Sequence, residues 1–511
     1  MLRNKFLLQI LTINILILCA GGFASAQKSV ADKNALAKFE KSIEQGIYAA
    51  IERDLLTYAI ANPNDAKGFE LLGTLRFAQN RLSEAKSLYQ KALSLDSYLV
   101  SAKINLALIN FQTGNAGQSV FDLDEIADKD VPNDALRLKL AQAFALVGNC
   151  KKALSNAEKL GIKIKNGDAL PLRAGCYLES GEKQKVNLLI PSAKKLSKQN
   201  PTIATRFAEV LSRAAMYKES ADVLRSVVLA APQNADALIL LAKSEIYTKD
   251  LANAKIHLNR ASKIKPQSPD LLSAQALLES EQGNAAQSLS LLEKSLAANP
   301  ESTTVLSQFI ITAMRANQAG KAFKAAEKLL EIKPDEPDFL YLHGASALQS
   351  NNLKTAENSL NRFVEFRPQD SLGCLALGLT YAAQPDKLED ARRQFNHCVE
   401  TNPNNFEAKY QLGLSYKTQG ETAKAIEYLE ETMKLSPDYA PALRDLGAVY
   451  LQSGAESKAR VVLEKSVAIN PNDADTHFQL SRLYNLLGEI SLAKKHLETF
   501  QKLKNPNKNG M

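Results

Sequence analysis

Tryptophan is absent from this 511-residue chain, aromatic residues are 6% of it, and histidine, cysteine and methionine number five each. Each scarcity removes a class of function. No Cys-x-x-Cys pair occurs, which argues against zinc ribbons and thioredoxin-like redox chemistry. The five histidines (His257, His343, His397, His477 and His496) form no His-Glu-x-x-His motif, and no phosphate loop or nucleophile elbow is present. The reading is therefore non-enzymatic, with no cofactor, no metal and no catalytic residue. His397 beside Cys398, with Cys374 within reach, is the one cluster of reactive types, and its plain reading is structural. Acid pairs such as Glu430-Glu431 fall on a solvent-facing run. Beyond the first twenty residues no apolar stretch is long enough to span a bilayer, and the polar C-terminal tail lacks the alternation of a barrel strand.

Proline, by contrast, is placed with regularity. Pro232, Pro266, Pro300, Pro334, Pro368, Pro403, Pro437 and Pro471 are separated by 34 residues in every step but one, which is 35. A fixed period of this size marks a repeat array, and such arrays work through a long shared surface. With the ladder proline at register position 32, positions 4, 7, 8 and 11 share one helical face, as in Leu443, Leu446, Gly447 and Tyr450. Positions 20, 24 and 27 form a second face, as in Ala459, Leu463 and Ser466. Small residues at 8 and 20 let two antiparallel helices approach, and large ones at 7, 11 and 24 fill the space around them. Position 15 is Gly114, Gly148, Gly283, Gly420, Gly454, Gly488, Asn80, Asn317 or Asn351, types that accept the left-handed conformation closing a helix. The proline stops the second helix, and a following Asn or Asp caps the next first helix.

This pattern resembles the tetratricopeptide repeat family. The likeness lies in the repeat length, the Leu-Gly pairs (Leu72-Gly73, Leu377-Gly378, Leu412-Gly413, Leu446-Gly447), Tyr381, Tyr416, Tyr450 and Tyr484 at position 11, Ala at 20 and Pro at 32. The family's Trp at position 4 is replaced by Phe69, Leu238, Leu272, Leu306, Leu340 and Leu443. The resemblance implies an all-α fold, a right-handed α-solenoid of about fourteen helix-turn-helix units. It also implies an inner wall lined by first-helix positions near 2, 5, 9 and 12. Those positions are apolar toward the C-terminal half: Leu277, Ile311, Met314, Tyr341, Leu348, Leu372, Leu375, Leu379, Tyr410, Leu414 and Leu451. Earlier units place Thr202, Thr205, Glu209, Asp236 and Lys243 there. The apolar strip is either a site for a protein or peptide or the packing of a tight superhelix. Family members that grip chaperone tails have Lys at 5 with Asn at 9; here Arg444 stands at 5 but Ala448 at 9, so that activity is not expected.

The register extends backward with less fidelity. Residues 27–65 read as a degenerate capping unit, 66–200 as irregular repeats, 201–507 as the regular array and 508–511 as a tail. Pro191 falls near position 24, inside a second helix, which is expected to be short or to restart there. The one extra residue lies around Ala383–Asp390, with Pro385 in the turn, and lengthens a loop.

Residues 1–26 read as a cleaved secretory signal: Arg3 and Lys5, an apolar run from Phe6 to Leu18, then Ala24-Ser25-Ala26. Leu18, bulky where a lipoprotein signal has a small residue, argues against acylation of Cys19. The expected location is outside the cytoplasm, in the periplasm or on the outer cell surface, with no integral span after cleavage. That compartment permits disulfides. Cys374 and Cys398 lie where the start of a first helix meets the end of its second, so a disulfide is sterically allowed, and Cys150 and Cys176 also approach. The plainer reading makes each a small buried packing residue.

The formal charge is +8, and residues 150–200 hold a net +7 of it. This basic segment comprises Lys151, Lys152, Lys159, Lys163, Lys165, Lys183, Lys185, Lys194, Lys195 and Lys198, with Arg173. It is either a solvated lysine surface or a face toward an anionic envelope polymer. Nucleic acid is not an expected partner, since no aromatic platform accompanies the lysines. Two functions fit: a scaffold of the bacterial cell envelope binding proteins or peptides along the inner wall, or a regulatory or substrate-recruiting subunit of a separate envelope enzyme such as a polysaccharide synthesis or secretion system.

Overall fold

The positions marked small or left-handed by the repeat register determine how the helices pair. At position 15, Asn80, Asn317 and Asn351 have φ of 56–59° and Gly114, Gly148, Gly283, Gly420, Gly454 and Gly488 have φ of 73–88°. The chain thereby reverses after these first helices and sends the second back along the first. In the 440–473 repeat the pair is Ala440–Gln452 and Glu456–Ile469, and the same alternation recurs down the chain. The computed structural model describes residues 30–505, and every regular element among them is a helix. The signal reading, Cys19 and the 508–511 tail lie outside the described residues.

Two compact units divide the chain, the first ending at Glu281 and the second beginning at Gln282. The first contains seven successive helix pairs, from Val30–Glu44 with Tyr48–Ala61 to Ala235–Tyr247 with Leu251–Ile264, then the helix Pro269–Glu281. The second opens with Ala285–Ala298 and continues through six pairs to Ala474–Leu486 with Ile490–Lys504.

Within a pair, position 8 meets position 24. A methyl group on Gly413 would lie 2.8 Å from Leu429 Cγ, and one on Gly378 would lie 2.5 Å from the Phe395 ring. Leu360, Phe395, Leu429 and Leu463 at position 24 are all essentially inaccessible to solvent. At Gly378 and Gly413 the close helix approach thus leaves no room for a Cβ.

Helix starts follow the Asn and Asp residues after the prolines. Asn234, Asn405 and Asp473 accept from the amides of Ala237, Ala408 and Thr476 at 3.0, 3.0 and 3.3 Å. A further contact ties one repeat to the next. The side chain at position 26 donates to the preceding ladder proline's carbonyl: Arg260 to Pro232 at 3.4 Å, Arg362 to Pro334 at 3.1 Å and Lys465 to Pro437 at 2.8 Å. His397 Nε2 makes the same bond to Pro368 at 2.8 Å, which gives that histidine a structural role. Proline therefore both ends a helix and leaves its carbonyl free to accept across the repeat boundary.

Irregularity is local. The second helix of the 168–200 repeat is broken into Lys183–Asn187 and Ile190–Leu196, and Pro191 sits in the first turn of the latter, where its missing N–H costs nothing. The residue inserted near Pro385 forms a single 3-10 turn, Pro385–Lys387, between Ser371–Ala382 and Leu388–Thr401. Two position-15 residues lack the usual chemistry: Ala215 and Lys249 hold φ of 57° and 65°. The left-handed conformation costs a residue with a Cβ about 1–2 kcal/mol, and glycine gives back part of that through unfolded-state entropy. Ala215→Gly and Lys249→Gly are each expected to raise stability by about 0.5–1 kcal/mol. A urea midpoint that falls in both variants would contradict this account.

Candidate functional site

Register places the apolar strip on first helices, but burial separates its members. In the second unit Ile311 and Leu372 are 42% and 53% exposed. Met314, Tyr341, Leu348, Leu375, Leu379 and Leu414 are half-buried, and Tyr410 and Leu451 are buried. Leu277, in the first unit, is half-buried against its own core. Tyr341 and Leu348 pack on the cluster containing Leu360 and Leu377, while Leu375, Leu379 and Leu414 pack on that containing Leu412 and Leu429. The strip is thus half wall and half core, with Ile311 and Leu372 its open members.

Tyr410 shows why a position-5 side chain can be lost to the surface. Its hydroxyl donates to Asp445 Oδ2 at 2.9 Å, where Asp445 also receives Lys417 at 2.5 Å and Arg444 at 2.9 Å. Burial and the Asp445 carboxylate push the Tyr410 hydroxyl well above its ordinary pKa, so it stays a neutral donor. Arg444 lies 3.5 Å from Asp473 as well, so the cation at position 5 is already engaged.

In the first unit some of the same positions are polar. Glu209 pairs with Arg213 at 2.9 Å, and burial raises its carboxyl pKa. Lys243 is half-buried, and burial lowers its ammonium pKa against the pull of Asp270 and Glu209. Asp236 pairs with Lys265 at 2.8 Å.

The basic segment is partly neutralised. Lys152 pairs with Asp124, Lys159 with Asp128, Lys165 with Glu158, Lys185 with Glu182 and Lys194 with Asp222. Lys151, Lys163, Lys183, Lys195 and Lys198 are exposed. The acids at 124, 128 and 222 lie outside the 150–200 window, so a count over that window leaves them out.

Cys374 and Cys398 form a disulfide with a Cα separation of 5.7 Å, joining Ser371–Ala382 to Leu388–Thr401. Cys150 and Cys176 are free and buried. His343 and His477 occupy buried packing positions, the first bonded to Ser359 Oγ at 2.8 Å and the second facing His496 Nδ1 at 2.8 Å. No group of three or more His, Cys, Asp or Glu side chains among the described residues is arranged to hold a metal ion. No helix among them is long and apolar enough to cross a membrane.

Comparison with known proteins places names beside this geometry. Two models of the tetratricopeptide repeat match, over residues 375–440 and 416–477. A curated relative, anaphase-promoting complex subunit 7 of Arabidopsis thaliana, is 32% identical over 97 residues, which are 19% of this chain and 17% of that protein. The chain therefore spans less than a fifth of the curated relative it matches. Among solved structures, the APC/C hetero-tetramer Cut9-Hcn1 is similar at 16% identity and a TM-score of 0.48, covering 87% of this chain and 94% of that one. A tetratricopeptide repeat protein from Parabacteroides merdae is similar at 18% identity and a TM-score of 0.43, covering 53% of this chain and 99% of that one. Residues 375–477 thus match the tetratricopeptide repeat, and paired helices of the same kind recur along the described residues.

Proposed function

We propose that the protein is a non-enzymatic scaffold of the bacterial cell envelope, holding protein or peptide partners along the inner-wall positions of its second unit. The observation that carries this reading is the exposure of two members of the strip. Ile311 and Leu372 keep 42% and 53% of their surface in water at positions where neighbouring leucines are half-buried in the core. Apolar surface left in water on a repeat array is available to a partner at little cost to folding. Export is supported by the leader-like residues 1–26 and by the Cys374–Cys398 disulfide, a bond that persists in oxidising compartments.

Ile311→Asp combined with Leu372→Asp tests the surface. Recovery of envelope proteins from a cross-linked envelope fraction is expected to fall at least tenfold, since two lost anchors at about 1 kcal/mol or more each exceed 1.4 kcal/mol. The melting temperature is expected to stay within a degree or two, as both sites are solvent-facing. Leu375→Asp with Leu379→Asp is the contrasting variant, expected to melt early because both leucines pack on the core. Unchanged recovery by the Ile311/Leu372 variant rejects the surface. Recovery of one enzyme in place of several structural proteins favours the recruiting-subunit reading, and a wholly cytosolic protein rejects the location.

A further inference from the structure

The irregular repeats hold a second group of reactive side chains. Cys150 is the first residue of the helix Cys150–Glu158, and Cys176 lies in the helix Leu170–Glu179 of the following repeat. The two thiols are unlinked, belong to one apolar cluster and lie on helices that pack against each other, close enough for Cys176 to raise the Cys150 pKa. Cys150 Sγ also donates to Glu179 Oε2 at 2.7 Å. Beside them is an open depression of about 460 Å³, lined among others by Cys150, Lys151, Glu179 and Ser180. Cys176 is 2% exposed and Cys150 8%, so Cys150 is the thiol at the mouth and Cys176 the one behind it.

We propose that Cys150 and Cys176 are a thiol–disulfide exchange site, which an external low-molecular-weight disulfide entering this depression converts into a bond joining two successive repeats. Cys150 gives up its proton, and its sulfur attacks one sulfur of the external disulfide. That S–S bond breaks, and the first thiolate leaves and is protonated. Cys176 then loses its proton and attacks Cys150 Sγ in the mixed disulfide. The second external thiolate leaves and takes up a proton. The two protein thiols are oxidised by two electrons, and one external disulfide is reduced to two thiols.

Two features set the rate. Contact with Cys176, burial and the Glu179 carboxylate all raise the Cys150 pKa, so its reactive thiolate is scarce at neutral pH. The pre-placed Cys176 makes the second step intramolecular, so the mixed disulfide does not accumulate. The site is therefore slow to load and quick to close. Unlike Cys374–Cys398, which joins the two helices of one repeat, the new bond ties one repeat to the next.

The test incubates the full chain in buffers of graded reduced-to-oxidised glutathione ratio, traps free thiols by alkylation and maps the peptides. The expected result is a linked Cys150–Cys176 peptide at oxidising ratios, mapped separately from Cys374–Cys398. Cys176→Ser is expected to stop the reaction halfway, leaving one glutathione on Cys150. Glu179→Gln is expected to speed loading by roughly threefold for each unit that the Cys150 pKa falls, because thiolate fraction gains tenfold while nucleophilicity loses part of it. Two outcomes overturn the proposal. In one, both thiols stay free in the folded wild-type chain at every ratio. In the other, glutathione persists on Cys150 with Cys176 intact. The wild-type measurement decides alone should either variant fail to fold.

Discussion

Gly413→Val is expected to destabilise the second unit by about 2–3 kcal/mol, Leu429→Ala by about 2–5 kcal/mol, and the two together by less than their sum. A Cβ at 413 would lie 2.8 Å from Leu429 Cγ and 2.9 Å from its Cδ2. Leu429 is fully buried, so it has no free space to move into. The small gain in helix propensity from replacing glycine, about 0.5 kcal/mol, does not offset that overlap. Leu429→Ala alone opens a cavity at the same place. In the double variant the valine methyls occupy the volume the leucine vacates, and a favourable coupling of about 1–3 kcal/mol results. Helical circular dichroism in urea reads the stability; the absence of tryptophan removes the usual fluorescence probe. Hydrogen exchange localises it, with lost protection centred on Phe406–Thr418 and Thr422–Leu435. Strict additivity would mean that positions 8 and 24 do not share one packing space.

Reducing the Cys374–Cys398 bond is the other large effect. The linked residues are 24 apart, and closing a loop of that size in the unfolded chain corresponds to about 3 kcal/mol in the chain-entropy account. Both residues are buried, at 2% and 0% exposure, so the reduced thiols remain small apolar packing groups and little native packing is lost. The loss therefore arises mainly in the unfolded state. Cys374→Ala with Cys398→Ala is expected to match the reduced wild type within about 1 kcal/mol, the scale of two small packing changes. Equal urea midpoints with and without reductant would contradict the bond's contribution. A protein that folds as well reduced would also weaken the argument for an oxidising compartment.

Much of the fold was legible before any coordinates. Gly420, Gly454 and Asn351 marked reversals because few other residues accept a positive φ, and all three adopt one. Ala215 and Lys249 reverse the chain equally well, though nothing in their chemistry announces it; repeat spacing forces the conformation on them. Pro191 was recognisable as a break, since proline cannot continue a helix, and the second helix does restart there. The position-26 bonds to proline carbonyls went unread. Their signal was present in the recurrence of Arg260, Arg362, His397 and Lys465, but a cation on an exposed face looks like solvation until its acceptor in the preceding repeat is known.

The candidate surface was legible as a set of register positions and no further. Tyr410 and Tyr341 share position 5, yet one is buried on Asp445 and the other half-buried on its core. Leu372 and Leu451 share an inner-wall assignment but differ in exposure, 53% against 8%. Helix periodicity, turn chemistry and the proline ladder are properties of single repeats, and the order of residues along the chain determines them. Which inner-wall side chains stay in water, which lysines meet an acid and which cysteines stand together depends in large part on other helices. Those relations exist only once the repeats are stacked, so only the tertiary structure decided them.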